Sequence, residues 1–550
     1  MGTTYSNAST SSRAQCLWTA GIAGLMSLGA IAIGIEPALA FNNPTLEVGV
    51  VQRFGTEPDR QKLEFSALAG GLLTLEFENE VTGQLQRQQT DSVTIAIVNR
   101  ALTAPETVQR LVLSSHRSFE SAAASALYWN GLGVETEIVQ PDEWQVWADR
   151  DEYTPSQLIQ IQIYARDNDI PSVRPYEKTM PFSRELSWTW EGQTYTSDTL
   201  SIVSDRGVMD IDSKPFAGDM RIQPNAHESF TVVNSVPLET YLRGVVPHEI
   251  GYQAPRAAVE AQAILARTYA LRNRHRFLTD DYEICATTHC QVYRGLTETR
   301  PMADQAIAAT AGQVLTYDDE LADAVYSSTT GGVTAAFEHI WDGDPRPYLQ
   351  SVPDTSFQGH QMQALDLSQE TDFRRFLTMR QGFNEVGRSS FFRWEESKTI
   401  AELSANLKVN QKYLGIALPF FQKIVDMQVM ERSPSGRVQK LQVDLLEFNG
   451  KVTPVTLRKD MILLALRSPG LEPPFSTLFS FDPVLDDEDN LTGYNFVGGG
   501  LGHGVGMSQI GSYNLAAQGY SAREILQFYY SGAALTTLND RLASINTPAQ

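Results

Sequence analysis

Apolar and polar residues alternate in short runs along the first third of the chain, which is the pattern of half-buried β-strands. An alanine-rich stretch with helical spacing, residues 118–129, interrupts these runs. The predicted strands cover residues 46–54, 72–77, 93–98, 134–139 and 145–148. Because one helix lies among several short strands, we predict a small N-terminal α/β module over residues 41–180.

The pattern changes twice after this module. Residues 181–235 alternate apolar and polar positions between frequent Gly, Asp and Asn, which predicts a run of short antiparallel strands. From Pro237 onward apolar residues recur at helical spacing, and Pro247 is expected to end this helix. A second helix is predicted over 255–274, with a face made mostly of alanine that permits close packing against another backbone.

The last part of the chain combines a β-rich insertion with a glycine-rich loop. Within residues 355–495 we predict a helical stretch and two hairpins, which turn at 433–436 and 449–450. Residues 498–511, GGGLGHGVGMSQIG, carry seven glycines and precede two predicted helices. The predicted fold class is therefore α+β: antiparallel strands with an alanine-rich helical pair and a glycine-rich loop that form a cleft, beside the N-terminal module.

Composition narrows the function classes. The chain has 550 residues, of which 43 are basic and 65 acidic, for a net charge of −22. This acidic excess argues against nucleic acid as a partner, because such binding depends on basic contacts to phosphate. It also argues against retention on anionic lipid or wall polymer by bulk charge, so that any such binding has to be local and specific.

The N-terminus has the features of an export signal. Arg13 precedes an apolar, Gly/Ala-rich run at 17–35, and the tripeptide Ala-Leu-Ala at 38–40 fits a cleavage site. Cleavage after Ala40 would release the mature protein into the periplasm or cell wall. The alternative is an uncleaved anchor, since the apolar run is just long enough to span a bilayer.

Common glycine motifs do not explain the glycine loop at 498–511. Glycine lets the backbone approach a ligand closely and adopt positive φ. No register gives G-x-G-x-x-G, and no Gly-Lys-Ser/Thr follows, so neither a dinucleotide site nor a Walker-type site is predicted. The sequence also lacks HExxH, which leaves a zincin-type amidase unsupported.

Six sequence blocks together resemble the SpoIID/LytB family of bacterial cell-wall proteins. In family order they read VPLETYLRGVVPHEI (236–250), AVEAQAILARTYAL (258–271), HCQVYRG (289–295), AVYSSTTGGVT (324–334), PYLQSVPD (347–354) and GHGVGMSQIGSYNLAAQGYSAREILQFYYSGAAL (502–535). The resemblance implies a SpoIID/LytB-like domain over 181–540, interrupted by the insertion, and binding of peptidoglycan glycan strands. The implied activity is that of a lytic transglycosylase or that of an enhancer of an N-acetylmuramoyl-L-alanine amidase. Residues 117–148 are also similar to a SPOR-type glycan-binding repeat, with a plain structural module as the alternative.

Glu249 is the candidate catalytic residue. A carboxyl between two apolar segments loses hydration and tends to stay protonated, as a general acid requires, and the family resemblance implies the same role. The structural alternative is a surface glutamate in a turn between helices. Asp323, Asp342 and Asp354 are weak candidates for a second acid. Because a hydrolytic glycosidase needs two carboxyls and a lytic transglycosylase needs one, a lone glutamate favours transglycosylation.

Other residues in the matched blocks are candidate glycan contacts, namely Arg267, Tyr348, His503, Ser508 and Gln509. The structural alternatives are a helix-surface arginine, a core tyrosine and a loop histidine bonded to backbone. Where family members often show lysine, this chain has Gln350, which removes a cation from the expected cleft. That departure favours the non-catalytic enhancer over the transglycosylase.

Cys285, His289 and Cys290 form a compact C-x₃-H-C cluster. Thiolates and an imidazole suit zinc, with a fourth position left for water or another side chain, and the family resemblance also implies zinc at such a cluster. A disulfide between the two cysteines is the alternative outside the cytoplasm. A zinc ion here would order the loop and take no part in hydrolysis.

Overall fold

A computed structural model describes residues 43–56, 61–79, 83–140, 143–355, 362, 364–387, 389–466 and 476–544. The predicted export segment and its cleavage position lie outside the described residues. None of the helices in these ranges is long and apolar enough to cross a membrane.

The strands follow the predicted alternation of buried and exposed side chains. In the first strand, Leu46 and Val48 are fully buried in the core. The strands are β1 (Thr45–Phe54), β2 (Lys62–Ala67), β3 (Leu73–Asn79), β4 (Gln84–Thr90), β5 (Ser92–His116), β6 (Thr136–Val139), β7 (Trp144–Ala148), β8 (Arg174–Trp190), β9 (Gln193–Ser197), β10 (Leu200–Ser204), β11 (Val208–Ile211), β12 (Lys214–Ala217), β13 (Asp219–Pro224), β14 (Phe230–Pro237), β15 (Ile284–Cys285), β16 (Gln313–Tyr317), β17 (Glu320–Leu321), β18 (Tyr326–Ser327), β19 (Trp394–Thr399), β20 (Phe421–Arg432), β21 (Val438–Glu447), β22 (Val452–Arg458), β23 (Phe479–Leu485), β24 (Leu491–Gly498), β25 (Met507–Ser508) and β26 (Ala534–Thr537).

The helices lie mostly in the second half of the chain. They are α1 (Phe119–Gly131), α2 (Pro155–Asp167), α3 (Leu238–Ile250), α4 (Arg256–Arg272), α5 (Pro301–Ala309), α6 (Glu370–Thr378), α7 (Ile400–Asn410), α8 (Met461–Leu466), α9 (Gln509–Ala517), α10 (Ala522–Tyr529) and α11 (Asp540–Ser544). The predicted α+β class is confirmed, since most strand pairs are antiparallel and the helices pack beside the sheets.

Two large sheets carry the scaffold, and both combine strands from either side of residue 180. The first has the order β15-β1-β14-β13-β10-β3-β4, in which β1 pairs antiparallel with β14. The second runs β12-β11-β2-β5-β7-β6, and the long strands β5 and β8 pair along most of their length. The predicted boundary at residue 180 stays a sequence prediction, and the strands on its two sides share sheets.

The alanine-rich pair of helices is α3 and α4. On α4, the residues Ala258, Ala261, Ala266 and Ala270 are fully buried, and the helix contacts α3, α5, α9 and α10. Small side chains allow this many neighbours to approach one helix. As a result α4 is the central element beneath the site described below.

Two elements differ from the sequence predictions. Pro247 does not end α3, which continues to Ile250. A proline inside a helix costs about 3 kcal/mol, but the flanking residues Val245 and Val246 are fully buried, and their packing outweighs the local preference. The helix α2 was not predicted, although Thr154 forms a capping box with Gln157 and Pro155 suits the first helical position.

The insertion matches its prediction more closely. Thr399 caps α7, and β20, β21 and β22 form a three-stranded antiparallel sheet. Its two turns lie where they were predicted, with the Gly436 N–H bonded to the Ser433 carbonyl at 2.8 Å and the Gly450 N–H bonded to the Glu447 carbonyl at 3.0 Å. Glycine and asparagine at these turns explain why local sequence was sufficient.

Candidate active site

Glu249 lies in the last turn of α3, where the helix meets the segment after β15. Gly244 permits this approach, because a Cβ there would collide with the carbonyl of Gly295. The Arg294 N–H donates to the Gly244 carbonyl at 3.2 Å. Earlier in the same segment, the Val292 N–H donates to Glu249 Oε1 at 2.6 Å. A backbone donor is thus fixed against the carboxyl group.

Burial dominates the electrostatics of Glu249. Desolvation raises the pKa of its carboxyl, and hydrogen bonds with Val292 N–H, Gln509 and Tyr326 offset part of that shift. The residue keeps partial exposure to solvent. A carboxyl that holds its proton to a higher pH than usual can donate that proton to a ligand in contact with it.

Tyr326 reaches the carboxyl from β18. Its hydroxyl accepts a hydrogen bond from Gln291 Nε2 at 2.9 Å, and Gln291 Oε1 accepts one from Tyr241 at 3.2 Å. Gln291 therefore fixes the Tyr326 oxygen and leaves its proton for Glu249. Burial raises the pKa of Tyr326 well above its usual range, so the phenol stays a donor at neutral pH.

The glycine loop explains how β18 and β25 come to lie side by side. Tyr326 pairs in parallel with Met507. A Cβ at Gly506 would collide with the Val325 carbonyl, and Gly506 has a φ of 72°. Only glycine combines this close approach with a left-handed backbone, so the loop's glycines act here as a packing device.

The end of the glycine loop delivers Ser508 and Gln509. Ser508 caps α9, since its hydroxyl oxygen accepts from the Gly511 N–H at 3.0 Å. Gln509 begins the helix, hydrogen-bonds Glu249, and donates to Gln262 Oε1 at 3.4 Å. The structure therefore brings the predicted residues Glu249 and Gln509 together, with Ser508 behind them.

A buried carboxylate supports Ser508. Its hydroxyl donates to Glu385 Oε1 at 2.5 Å. The same carboxylate accepts from the hydroxyl of Thr330 at 3.0 Å and from the Gly331 N–H at 2.9 Å. Glu385 is fully buried and belongs to the insertion. Sequence reasoning missed this residue, because no motif surrounds it.

Asp354 lies beside Glu385 and is also fully buried. Its carboxylate accepts from Asn384 Nδ2 at 2.8 Å and from the Tyr529 hydroxyl at 3.0 Å. Desolvation, and then the charge of Glu385, raise the pKa of Asp354. Asp354 therefore keeps its proton to a higher pH than an exposed aspartate does. Asp354 was considered as a second acid, and its full burial leaves it no surface for a glycan.

His503 supports the backbone in this structure. Its Nδ1 accepts from the Val505 N–H at 3.0 Å, and the ring also bonds the Tyr326 backbone. Burial lowers the pKa of His503 to about 3, so the imidazole is neutral at physiological pH. The ring packs on Trp341 with centroids 4.9 Å apart. His503 therefore holds β18, and through it Tyr326, in place.

Arg267 lies in the core. Its side chain is fully buried and pairs with Glu239 through two hydrogen bonds of 2.6 and 2.8 Å. A third bond runs from its Nη1 to the Gln313 carbonyl at 3.0 Å. The guanidinium of Arg267 joins α4 to α3 and presents no surface to a glycan. Its place in this structure is that of a structural residue.

Tyr348 is likewise a core residue. It is 5% exposed, and its hydroxyl accepts from the Asp323 N–H at 2.9 Å. Asp323 itself pairs with Arg272 and Arg346 at 3.1 and 2.6 Å. Gln350 is exposed and bonds the Pro347 carbonyl at 2.8 Å. Tyr348 is therefore a core tyrosine, which is the structural alternative to a glycan contact.

The cysteine pair forms a disulfide between Cys285 and Cys290, the alternative considered above. Bonded sulfurs are not thiolates and cannot ligate zinc. His289 is exposed and lies near Trp144. No group of three or more potential metal-ligating His, Cys, Asp or Glu occurs among the described residues. The residues therefore do not fit zinc in this state, and the zinc site stays a sequence prediction.

Two family descriptions match separate parts of the chain. "Stage II sporulation protein" matches residues 226–317, and a "Domain of unknown function (DUF8618)" matches residues 335–506. Glu249 falls in the first region, whereas Glu385 and most of the glycine loop fall in the second. The candidate site therefore joins both regions.

The chain is similar to three relatives at low identity. An uncharacterized protein of Brachyspira hyodysenteriae is 26% identical over 57% of this chain and 70% of its own length. The amidase enhancer of Bacillus subtilis is 26% identical over 54% of this chain, which spans 40% of that relative. The stage II sporulation protein D of Bacillus amyloliquefaciens is 25% identical over 56% of this chain and 77% of its own length.

The fold and the site define a protein that holds one protonatable glutamate between a helix pair and a glycine loop. The family match over residues 226–317 and the named relatives support the SpoIID/LytB assignment that the six sequence blocks predicted.

Proposed function

We propose that this protein acts on peptidoglycan glycan strands as a lytic transglycosylase, with Glu249 as its acid and base. The observation that carries the proposal is the setting of Glu249, a residue of intermediate exposure whose carboxyl pKa is raised by burial and which Val292, Tyr326 and Gln509 hold by hydrogen bonds. These contacts suit both of its states. Burial favours the neutral acid before the reaction, and the donors stabilise the anion after it.

In the proposed reaction, Glu249 donates one proton to the substrate and later accepts one from it. Glu249 protonates the glycosidic oxygen, and the bond from that oxygen to C1 of the muramic acid breaks. The carboxylate then accepts the proton of the C6 hydroxyl, whose oxygen bonds to C1 and leaves a 1,6-anhydro end. No water is consumed, and Glu249 is protonated again for the next cycle.

The carboxyls around the site favour this single-acid route over hydrolysis. A hydrolytic glycosidase needs a second carboxyl that reaches the substrate or its water. Asp354 and Glu385 are fully buried and bonded inside the protein, and Asp323 is tied to two arginines. None of these three acids is placed for such a role.

A second candidate function is enhancement of a cell-wall amidase by glycan binding alone. It is supported by the amidase enhancer among the relatives and by the neutral, exposed Gln350 in place of a cation. Mass spectrometry of purified sacculi, intact and peptide-stripped, after incubation with the protein separates the two. Anhydro-muropeptides support the transglycosylase, and glycan binding without them supports the enhancer.

We further propose that the chain is exported and acts in the periplasm or cell wall, either released by cleavage after Ala40 or tethered by residues 17–35. N-terminal sequencing of the exported protein tests this. A first residue of Phe41 supports cleavage, and retention of 17–35 supports the anchor.

A further inference from the structure

One end of the insertion's three-stranded sheet carries unusually exposed apolar side chains. Phe420, immediately before β20, is 83% exposed, and Phe448, immediately after β21, is 59% exposed. Their rings stack with centroids 4.6 Å apart and planes 20° apart. Val452, at the start of β22, adds a side chain that is 47% exposed. We call Phe420, Phe448 and Val452 the aromatic tip.

The fold of the hairpin does not need the two phenylalanine rings. The turn is closed by backbone bonds, from Gly450 N–H to the Glu447 carbonyl at 3.0 Å and from Glu447 N–H to the Lys451 carbonyl at 2.8 Å. Phe421, which follows Phe420, is the ring that enters the core, with 3% exposure. Single exposed apolar residues are ordinary, but a stacked pair at the end of a closed hairpin indicates a surface used for binding.

Three exposed lysines belong to the segments that form or contact this end of the sheet. Lys423 lies three residues after Phe420, and Lys451 lies three residues after Phe448. Lys408 reaches the same end of the sheet, since its Nζ donates to the Gln422 carbonyl at 2.6 Å. Lys451 pairs with Glu447 at 3.6 Å. A local excess of positive charge thus occurs in a chain whose net charge is −22.

We propose that the aromatic tip docks on the surface of an anionic lipid bilayer, a function beyond the proposed chemistry at Glu249. The rings and Val452 enter the acyl boundary, and the lysines face the lipid phosphates. A sugar ligand fits less well, because it requires polar groups beside the rings. The amides at this end of the sheet are already bonded, that of Asn449 to Glu447 and Lys451 and that of Gln422 to the Glu447 carbonyl.

The test uses an environment-sensitive fluorophore attached to Val452→Cys in the full chain with Cys16→Ser. The disulfide protects Cys285 and Cys290 from labelling. The protein is mixed with vesicles of phosphatidylcholine, with and without phosphatidylglycerol. A probe at the tip reports insertion of the tip itself, whether or not residues 17–35 also bind lipid. Leu85→Cys, on β4 and 66% exposed, is the matched control position.

We expect a blue shift at position 452 with anionic vesicles, weakened by salt, and none at position 85. Phe420→Ser with Phe448→Ser should reduce the apparent affinity about tenfold or more. Lys423→Gln and Lys451→Gln should each reduce it about fivefold. The proposal is overturned if the tip probe does not respond to vesicles, if the control probe responds equally, or if only sacculi or a protein partner shift the signal.

Discussion

The Ser508 hydroxyl donates a hydrogen bond to the buried carboxylate of Glu385, and this bond connects the glycine loop to the insertion. Ser508 also caps α9, and the next residue, Gln509, bonds the candidate acid Glu249. Glu385 therefore holds the turn that presents Gln509, although it lies too deep to touch a ligand itself. It is a positioning residue supplied by the insertion.

Replacement of Ser508 by alanine should weaken both the fold and the site. The variant loses a helix cap and leaves the Glu385 carboxylate short of one donor, which together cost about 1–3 kcal/mol in the free energy of unfolding. Urea unfolding measures this cost. Turnover of sacculi should fall as well, because Gln509 is no longer held against Glu249.

Ser521→Ala is the matched control for Ser508→Ala. Ser521 caps α10 through a capping box with Glu524 and lies at the exposed end of that helix. Ser521→Ala should lower the free energy of unfolding by about 1 kcal/mol. Turnover should not fall under conditions in which the variant stays folded. If both variants lose turnover in proportion to stability, Ser508 has no role beyond capping.

Glu249→Gln should abolish most of the glycan cleavage while glycan binding persists. The amide keeps the size and most hydrogen bonds of the carboxyl but cannot exchange a proton, and general acid–base catalysis supplies about 10²- to 10⁴-fold in rate. Release of anhydro-muropeptides measures the loss, and sedimentation with sacculi measures binding. The exposed Glu320→Gln serves as control. Unchanged turnover in the Glu249 variant would remove this residue from the mechanism.

Asp354 should make the folded state less stable as the pH rises. Burial and the charge of Glu385 raise its pKa in the folded state from 3.8 to about 8. The folded protein then binds more protons than the unfolded chain between these values, so the stabilising contribution is complete below about pH 4 and is lost as the pH approaches 8. Urea midpoints across this range measure the slope.

Asp354→Asn removes the titrating proton and keeps an oxygen acceptor. Its unfolding free energy should vary less with pH than that of the parent protein, whereas the exposed Asp151→Asn should leave the slope unchanged. A slope that is identical in all three proteins would mean that Asp354 does not change its protonation state over this pH range.

Arg267→Gln should reduce stability and leave glycan affinity unaltered once the folded fraction is equal. The guanidinium is fully buried against Glu239, and loss of one partner of such a pair costs about 3 kcal/mol. Arg256→Gln on the same helix removes a pair whose arginine side chain is 59% exposed, and should cost less than about 1 kcal/mol. If the folded Arg267→Gln variant binds glycan more weakly than the parent protein, Arg267 contributes to glycan binding after all.

The cysteines should behave as a disulfide. We expect no metal in protein purified without added metal, and no reactive thiol at Cys285 or Cys290 before reduction. Closing such a short loop contributes about 2 kcal/mol, so reduction should lower the unfolding free energy by that order, while a chelator should leave it unchanged. One bound zinc with two titratable thiols would instead support the zinc prediction.

Much of the fold could be read from local sequence. Alternation predicted β1 and β3, alanine spacing predicted α4, and glycine with asparagine predicted the hairpin turns, because each signal is contained within a few neighbouring residues. The six blocks also identified the family and singled out Glu249 and Gln509. These residues lie about 260 positions apart in sequence, so no local pattern links them. In the sequence analysis only the family resemblance placed both in one site.

Tertiary structure decided the roles of the remaining residues. Burial of Arg267 against Glu239 depends on the packing of α4 against α3. Pro247 stayed helical because packing outweighed its local preference. Glu385 had no sequence signal, since a buried carboxylate acquires its function only from the donors that the fold collects around it, here Ser508 and the backbone of Gly331.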